Sequence, residues 1–371
     1  MAHAYTPGLQ VAERTVVRKE RRLPLKGEVL IKEGDTVEAE QIIARAYLPG
    51  DVELLNIAGQ LGVSGDEIKP YLKKKEGDEV KKGEIIAESR GLFGMFKTQV
   101  KSPIDGVIES ISFVTGQAIL RHPPQEVSIK AYINGTVEKV IPEEGAIIRT
   151  VATFIQGIFG VGGEGYGEIL PVCSSPDETL TPDLIPETAK GKVIVGGSFV
   201  TYEALQRAVE VGATGVVVGG IDADDLRHFL GYDIGVAITG TEKKGITLIV
   251  TEGFGRMNMA KKTFELLTKY AGRRASINGA TQIRAGVMRP EVIITQEGEA
   301  EEPHKGWETG LEVGHLVRII REPYFGQIGR VVELPPPLEQ IETEARVRIL
   351  KVKLDDKVVT IPRANVEIIQ G

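Results

Sequence analysis

Two glycine-bearing loops are the parts of this sequence whose residue types and spacing could bind a charged ligand. The first has Gly160, Gly162 and Gly165 in the order G-x-G-x-x-G, the spacing of dinucleotide-binding loops. Such a loop needs a helix that begins inside it, because the helix N-terminus holds the pyrophosphate. Residues 164–186 instead carry repeated helix breakers, namely Gly165, Gly167, Pro171, Pro176, Pro182 and Pro186. The sequence therefore predicts no dinucleotide site and no bound cofactor.

The second loop follows a strand-like run within residues 246–274 and precedes a long helix predicted to begin near Met257. Its backbone N–H groups could converge on an anion at the C-terminal edge of a parallel sheet. Residues 251–290 contain eight Lys or Arg and two Glu, which favours an anion locally. The candidate anion-binding residues are Gly253, Gly255, Arg256, Arg284 and Arg289. The alternative is an ordinary strand–loop–helix element whose basic helix face is solvated.

Residues with catalytic or metal-binding chemistry do not form a recognisable constellation. The histidines are His3, His122, His228, His304 and His315, and none lies at the i, i+4 spacing of a helical metal site. Ser198 lacks the G-x-S-x-G context of a nucleophile elbow. Cys173 is the single cysteine, which rules out an internal disulfide or a cysteine-based zinc site. We therefore assign no catalytic and no metal-binding residue.

The first 150 residues repeat themselves. The segment EGDTVEAEQIIA at 33–44 recurs as EGDEVKKGEIIA at 76–87, and DGVIESISFVTG at 105–116 is echoed by NGTVEKVIPEEG at 134–145. Each unit reads as two short strands joined by a turn in which glycine supplies the positive φ. Repeated short strands of this kind predict an all-β barrel or sandwich.

The pattern G-D-x-V-x-x-G-x-x-I-A, together with KSPIDGVIESI, resembles the biotinyl/lipoyl-carrier fold, the barrel-sandwich hybrid. Carriers attach their prosthetic group to a lysine on a hairpin shortly before the proline that corresponds to Pro103. The matching position is Met95, and Lys97 is displaced from it, so the resemblance implies the fold without the prosthetic group. RNA polymerase large subunits use similar unmodified hybrids as docking modules. Residues 51–72 are expected to form a small helical insert rather than a DNA-binding motif, because the second helix would carry acids and a proline.

The middle of the chain has an α/β pattern. A buried-strand run at 192–197, an amphipathic helix at 201–212 and a second strand at 215–220 form a βαβ unit, so the sequence predicts a parallel sheet. Asp222 is a favourable N-cap for a short helix after it.

The C-terminal segment VGHLVRIIREPYFGQIGRVVEL at 313–334 resembles the KOW motif, and the alternating strands after it complete an SH3-like barrel. KOW domains occur in transcription elongation factors and ribosomal proteins, where they contact RNA, ribosomes or RNA polymerase. The candidate partner-binding residues around the first inter-strand loop are Arg318, Arg321, Tyr324, Phe325 and Arg330. Residues 305–371 hold ten basic and ten acidic residues, and this neutral balance ranks a protein partner ahead of RNA or a ribonucleoprotein.

The predicted fold class is mixed β and α/β, in three parts. We expect a hybrid β domain at 1–172, a linker at 173–190, an α/β domain at 191–296, an acidic linker at 297–309 and the KOW-like barrel at 310–371. The chain has 371 residues and a net charge of −7, with a polar start and no apolar run that could span a bilayer, so we expect a cytoplasmic protein without membrane contact.

The two flanking resemblances favour a non-enzymatic scaffold or adaptor that works with the transcription or translation machinery. The alternative is an enzyme or sensor that binds a phosphorylated small molecule at Gly253–Arg256. The sequence leaves the oligomeric state open.

Overall fold

The computed structural model describes most of the chain. The described residues are 9–89, 97–232, 244–281, 288–300, 311–319, 324, 327–335, 338–340, 346–354 and 357–369. The protein is mostly β, and its described strands form sheets of thirteen, four, three, six and two strands. Among the described helices, none combines the length and the apolar character that crossing a bilayer requires.

The N-terminal region is built from short strands. They are β1 (Val11–Arg22), β2 (Glu28–Val29), β3 (Thr36–Val37), β4 (Ile42–Leu48), β5 (Val52–Asn56), β6 (Glu79–Val80), β7 (Ile85–Glu88), β8 (Gln99–Lys101), β9 (Gly106–Ser112), β10 (Gln117–Arg121), β11 (Gln125–Lys130) and β12 (Gly135–Ile141). The expected helical insert begins later than predicted, because residues 52–56 form β5, which pairs with β10. Helix α1 (Ile57–Leu61) comes next, capped by the side chain of Asn56, and two 3₁₀ turns complete the insert.

The described part of the central region contains ten strands and three helices. The strands are β13 (Gly145–Gln156), β14 (Phe159–Val161), β15 (Glu164–Pro171), β16 (Thr179–Leu180), β17 (Lys192–Val195), β18 (Phe199–Val200), β19 (Gly215–Ile221), β20 (Thr247–Phe254), β21 (Arg274–Asn278) and β22 (Glu291–Gln296), and the helices are α2 (Tyr202–Glu210), α3 (Ala223–Leu230) and α4 (Lys261–Lys269). The predicted parallel sheet is confirmed, because β15, β17, β19 and β20 pair in parallel in that order. Asp222 caps α3 as expected, by accepting from the N–H of Asp224.

One sheet joins the N-terminal and central regions. Strand β13 pairs with β1 along one edge and with β12 and then β22 along the other. From Val151 to Ile155 every residue of β13 is buried, as expected for a strand covered on both faces. The sheet therefore runs continuously across the boundary expected near residue 172.

The segment expected to be a linker, 173–190, is packed against the central core. Leu180, Ile185 and Ala189 are all at most 3% exposed, and β16 pairs in parallel with β18. Its prolines do prevent a helix, since the segment forms one short strand and two 3₁₀ turns. A proline-rich composition here marks irregular but buried chain rather than a flexible connection.

The C-terminal region forms the six-stranded sheet. Its strands are β23 (Leu316–Ile319), β24 (Ile328–Glu333), β25 (Leu338–Gln340), β26 (Arg346–Lys353), β27 (Val358–Pro362) and β28 (Val366–Ile369). Its own hydrophobic core includes Val317, Ile319, Leu350 and Val352. Arg318 lies between the first two on β23 and therefore points to the opposite face of the strand. We call this six-stranded unit the C-terminal barrel, after the SH3-like barrel that the sequence predicts.

Candidate functional site

The loop predicted to bind an anion lies at the carboxyl end of β20, between that strand and α4. Gly255 has φ +93°, a conformation that glycine adopts without strain. The loop packs tightly on the end of β19, because a Cβ at Gly220 would lie 2.0 Å from the carbonyl oxygen of Gly255. Similarly, a Cβ at Gly219 would lie 2.2 Å from that of Met257. The glycines of β19 thus allow close backbone contact within the chain.

Three N–H groups of this loop donate to acceptors inside the protein. Gly255 N–H donates to the carbonyl of Ile221 at 2.8 Å, and Met257 N–H donates to that of Ser198 at 3.3 Å. Met259 N–H donates to the carbonyl of Pro176 at 3.0 Å. An external anion would have to compete with these bonds, so anion binding at this loop remains a prediction.

The carboxylate of Glu252 occupies the position next to the first turn of α4. Its Oε1 accepts from the N–H of Ala260 at 3.0 Å, so an internal anion interacts with the helix N-terminus. Its Oε2 accepts from the guanidinium of Arg318, which belongs to β23 of the C-terminal barrel. Both side chains are buried, at 8% and 7% exposure. The contact joins the barrel directly to the carboxyl edge of the parallel sheet.

The other candidate anion-binding residues are dispersed. Arg256 stacks over the ring of Phe199, 5.0 Å from its centroid, and donates to the hydroxyl of Thr179 at 3.1 Å. Arg289 is half-buried just before β22, and Arg284 lies outside the described residues. The helix itself starts at Lys261 rather than near Met257, because the intervening residues form the hydrogen-bonded loop.

The candidate partner-binding residues separate into two environments. Arg318 is buried against Glu252, so the expectation of an exposed side chain at this position does not agree with the structure. Arg330 is exposed and donates to the carbonyl of Gly314 at 2.7 Å. Tyr324 packs against the barrel core, with the Lys357 ammonium 4.5 Å from its ring centroid. Arg321 and Phe325 lie outside the described residues.

A row of exposed residues crosses the outer face of the C-terminal barrel. Arg330 on β24 lies opposite Lys353 on β26, which lies opposite Val358 on β27. All three are exposed, and in the described part of the barrel no salt bridge includes Arg330 or Lys353. Directly opposed like charges on neighbouring strands repel each other. We call these three residues the basic row.

The basic row extends towards Arg318. Leu316 pairs with Arg330, and Leu316 and Arg318 point to the same side of β23 because side chains alternate along a strand. Arg318 therefore lies on the face that carries Arg330, at the end covered by the central region. Sequence reasoning missed Glu252 and Lys353. The alternation of apolar and polar residues at 346–353 could have indicated that Lys353 is exposed on the outer face of the strand. No local sequence signal indicates that Glu252 pairs with Arg318.

Burial raises the pKa of the Cys173 thiol to about 11, so the thiol is protonated at neutral pH. Among the described residues, no group of three or more His, Cys, Asp or Glu could hold a metal ion. A shallow cleft of about 660 Å³ lies between β1 and α4, where a hydrogen bond from Lys269 lowers the pKa of Glu13.

Comparison with models of protein families gave no match for this chain, and comparison with curated proteins gave no significant match.

Proposed function

We propose that the protein is a non-enzymatic scaffold or adaptor that binds a component of the transcription or translation machinery through its C-terminal barrel. In this proposal the barrel acts as a KOW-like docking module. The N-terminal repeats act as a barrel-sandwich-hybrid-like platform, which is joined to the central sheet through β13.

The basic row is the observation that carries the proposal. Two cations at directly opposed positions lower the stability of the isolated sheet slightly, and an anionic partner would remove that repulsion. Val358, 55% exposed, adds apolar contact area beside them. This combination suits a partner surface with phosphate or carboxylate groups next to an apolar or aromatic patch.

Tyr324 and Lys357 provide a second element of the same kind. The Lys357 ammonium lies over the aromatic ring, which holds a cation and an aromatic face together near the loop between β23 and β24. Such a pair can contact either a protein or a nucleic acid, so the proposal names the machinery and the experiment separates the two.

The test is an affinity pull-down from native lysate with the tagged full-length chain, at low and moderate salt and with and without nuclease. We expect wild-type protein to recover ribosomes or RNA polymerase, and Arg330→Ala/Lys353→Ala to lose them. The matched control is Lys32→Ala/Lys82→Ala, which removes the same charge from exposed positions of the N-terminal region. Equal recovery by both double variants, or no macromolecular partner for wild type, would contradict the proposal. Nuclease sensitivity identifies RNA as the bound component.

A further inference from the structure

The C-terminal barrel contacts the central region through the outer face of β23. Arg318 projects from this face, because its neighbours Val317 and Ile319 point into the barrel core. Its guanidinium reaches Glu252 at the carboxyl end of β20, so a charged side chain of one unit is buried by the other. The two units are separated in sequence by the acidic segment that begins at Glu297.

That acidic segment is anchored at its start. Arg14 on β1 donates to the backbone carbonyls of Glu297, at 2.5 Å, and Glu299, at 2.9 Å. The side chain of Arg14 also donates to the Oε1 of Gln296, the last residue of β22. The connection to the barrel therefore leaves the central sheet at a defined point, and the barrel docks on that same sheet.

Glu252 connects the barrel to the loop before α4. One carboxylate oxygen accepts from Arg318 and the other accepts from Ala260 N–H, so both oxygens have partners. If the barrel moved away, the Glu252 carboxylate, 8% exposed, and the Arg318 guanidinium, 7% exposed, would lose the ion pair that offsets part of the cost of burying them. Each side chain would then have to become hydrated, which requires the surfaces to separate fully.

We propose that the Arg318–Glu252 pair is a latch that holds the C-terminal barrel on the carboxyl edge of the central sheet, and that this docked state is autoinhibitory. In the docked state Arg318 is withheld from the basic row. In the released state Arg318 joins Arg330 and Lys353 on one continuous basic face. The docking equilibrium stands independently of any partner, whereas its effect on partner binding rests on the proposed function.

The primary test measures docking in the full-length chain, by small-angle X-ray scattering and by amide hydrogen exchange. Arg318→Gln and Glu252→Gln each remove one charge of the buried ion pair, and each should raise the released population roughly a hundredfold or more. Exchange should accelerate at residues 316–319 and 257–260, and the radius of gyration should increase. Arg348→Gln removes an exposed cation from the same barrel, outside the basic row, and should behave as wild type.

The double variant Glu252→Gln/Arg318→Gln makes the test specific for the pair. The double variant removes both charges of the pair. Its amide hydrogen exchange should therefore return towards the wild-type rate instead of showing the summed effects of the single variants. Unchanged exchange in both single variants, or additive effects in the double variant, would overturn the latch. If Arg318→Gln unfolds the barrel, Glu252→Gln decides, because that change lies outside the barrel.

The second test measures how much partner each variant recovers in the affinity pull-down. Glu252→Gln keeps Arg318 in the basic face and should recover more partner than wild type, whereas Arg318→Gln should not. Faster exchange without increased recovery by Glu252→Gln would retain the latch and contradict its inhibitory role. Absence of any partner for all variants would contradict the proposed function and leave the docking result standing.

Discussion

The two copies of the N-terminal repeat form the same local structure and enter different tertiary structures. In each copy the turn glycine, Gly34 or Gly77, has φ +88°. In each copy the following aspartate accepts from the N–H three residues before it, at 2.8 Å for Asp35 and at 2.9 Å for Asp78. The turn is therefore a property of the shared E-G-D sequence.

Each E-G-D segment contacts one member of the second repeated pair, 105–116 or 134–145, and these contacts also match. Glu33 accepts from the N–H of Val140 at 3.1 Å, and Glu76 accepts from that of Ile111 at 2.6 Å. Thus the segment 33–44 packs with 134–145, and 76–87 packs with 105–116. The second pair is inserted within the first, between β4 and β11.

The copies differ in the strand at the end of the segment that each E-G-D segment contacts, 134–145 in the first copy and 105–116 in the second. In the first copy this strand is β13, twelve residues long and largely buried, which enters the thirteen-stranded sheet. In the second copy it is β10, five residues long, in a four-stranded sheet whose outer face exposes Val52 and Leu54. A repeated turn therefore specifies local pairing, while the length and two-sided burial of the next strand specify the sheet that it joins.

The largest expected effect comes from removing a core side chain in each copy. Ile148→Ala and Leu120→Ala, both 0% exposed, should each destabilise by about 2–5 kcal/mol. Hydrogen exchange should show that Ile148→Ala also lowers protection in β22, because β13 is shared with the large sheet. The effect of Leu120→Ala should remain within β5 to β10. Equal loss of protection in β22 for both variants would show that the copies are not separable.

Substitution of the turn glycines should lower the free energy of unfolding by an intermediate amount. Gly34→Ala and Gly77→Ala should each cost about 1–2 kcal/mol, since an L-residue at positive φ is strained and no atom lies within 4 Å of the added Cβ. Urea unfolding measures both. A clear difference between the two costs would show that the matching turns are held differently.

The turn aspartates should have a smaller effect. Asp35→Ala and Asp78→Ala each remove one exposed side-chain hydrogen bond, for a loss of about 0.5–1 kcal/mol. The control is Asp→Asn at each position, which retains an acceptor oxygen and should cost less in the same unfolding experiment. Equal costs for the Ala and Asn variants would mean that the bond itself does not stabilise the turn.

The smallest effect is expected on the open face of the inserted copy. Leu54→Thr changes a side chain that is 64% exposed and should alter the unfolding free energy by less than about 0.5 kcal/mol. Thermal unfolding and light scattering together check this. A larger loss of stability, or a change in mass, would show that another surface covers this face.

Several elements were predictable because their signals are local. The E-G-D turns, the parallel βαβ unit and the Asp222 cap depend on residues close in sequence, and the structure confirms all three. The region at 173–190 was not predictable, because its prolines indicate only that no helix forms. Burial of Leu180 and Ile185 depends on strands elsewhere in the chain.

The candidate site divides in the same way. The sequence by itself determined the glycine loop after β20, the basic character around it and the alternating strands of the C-terminal barrel. Only the tertiary structure decided that Glu252 takes the place beside α4 and that Arg318 is buried against it, while Arg330 remains exposed on the same face. The physical reason is that, in any short stretch of sequence, a charged side chain predicts an exposed position. Its burial depends on a counter-charge 66 residues away that only folding brings into contact.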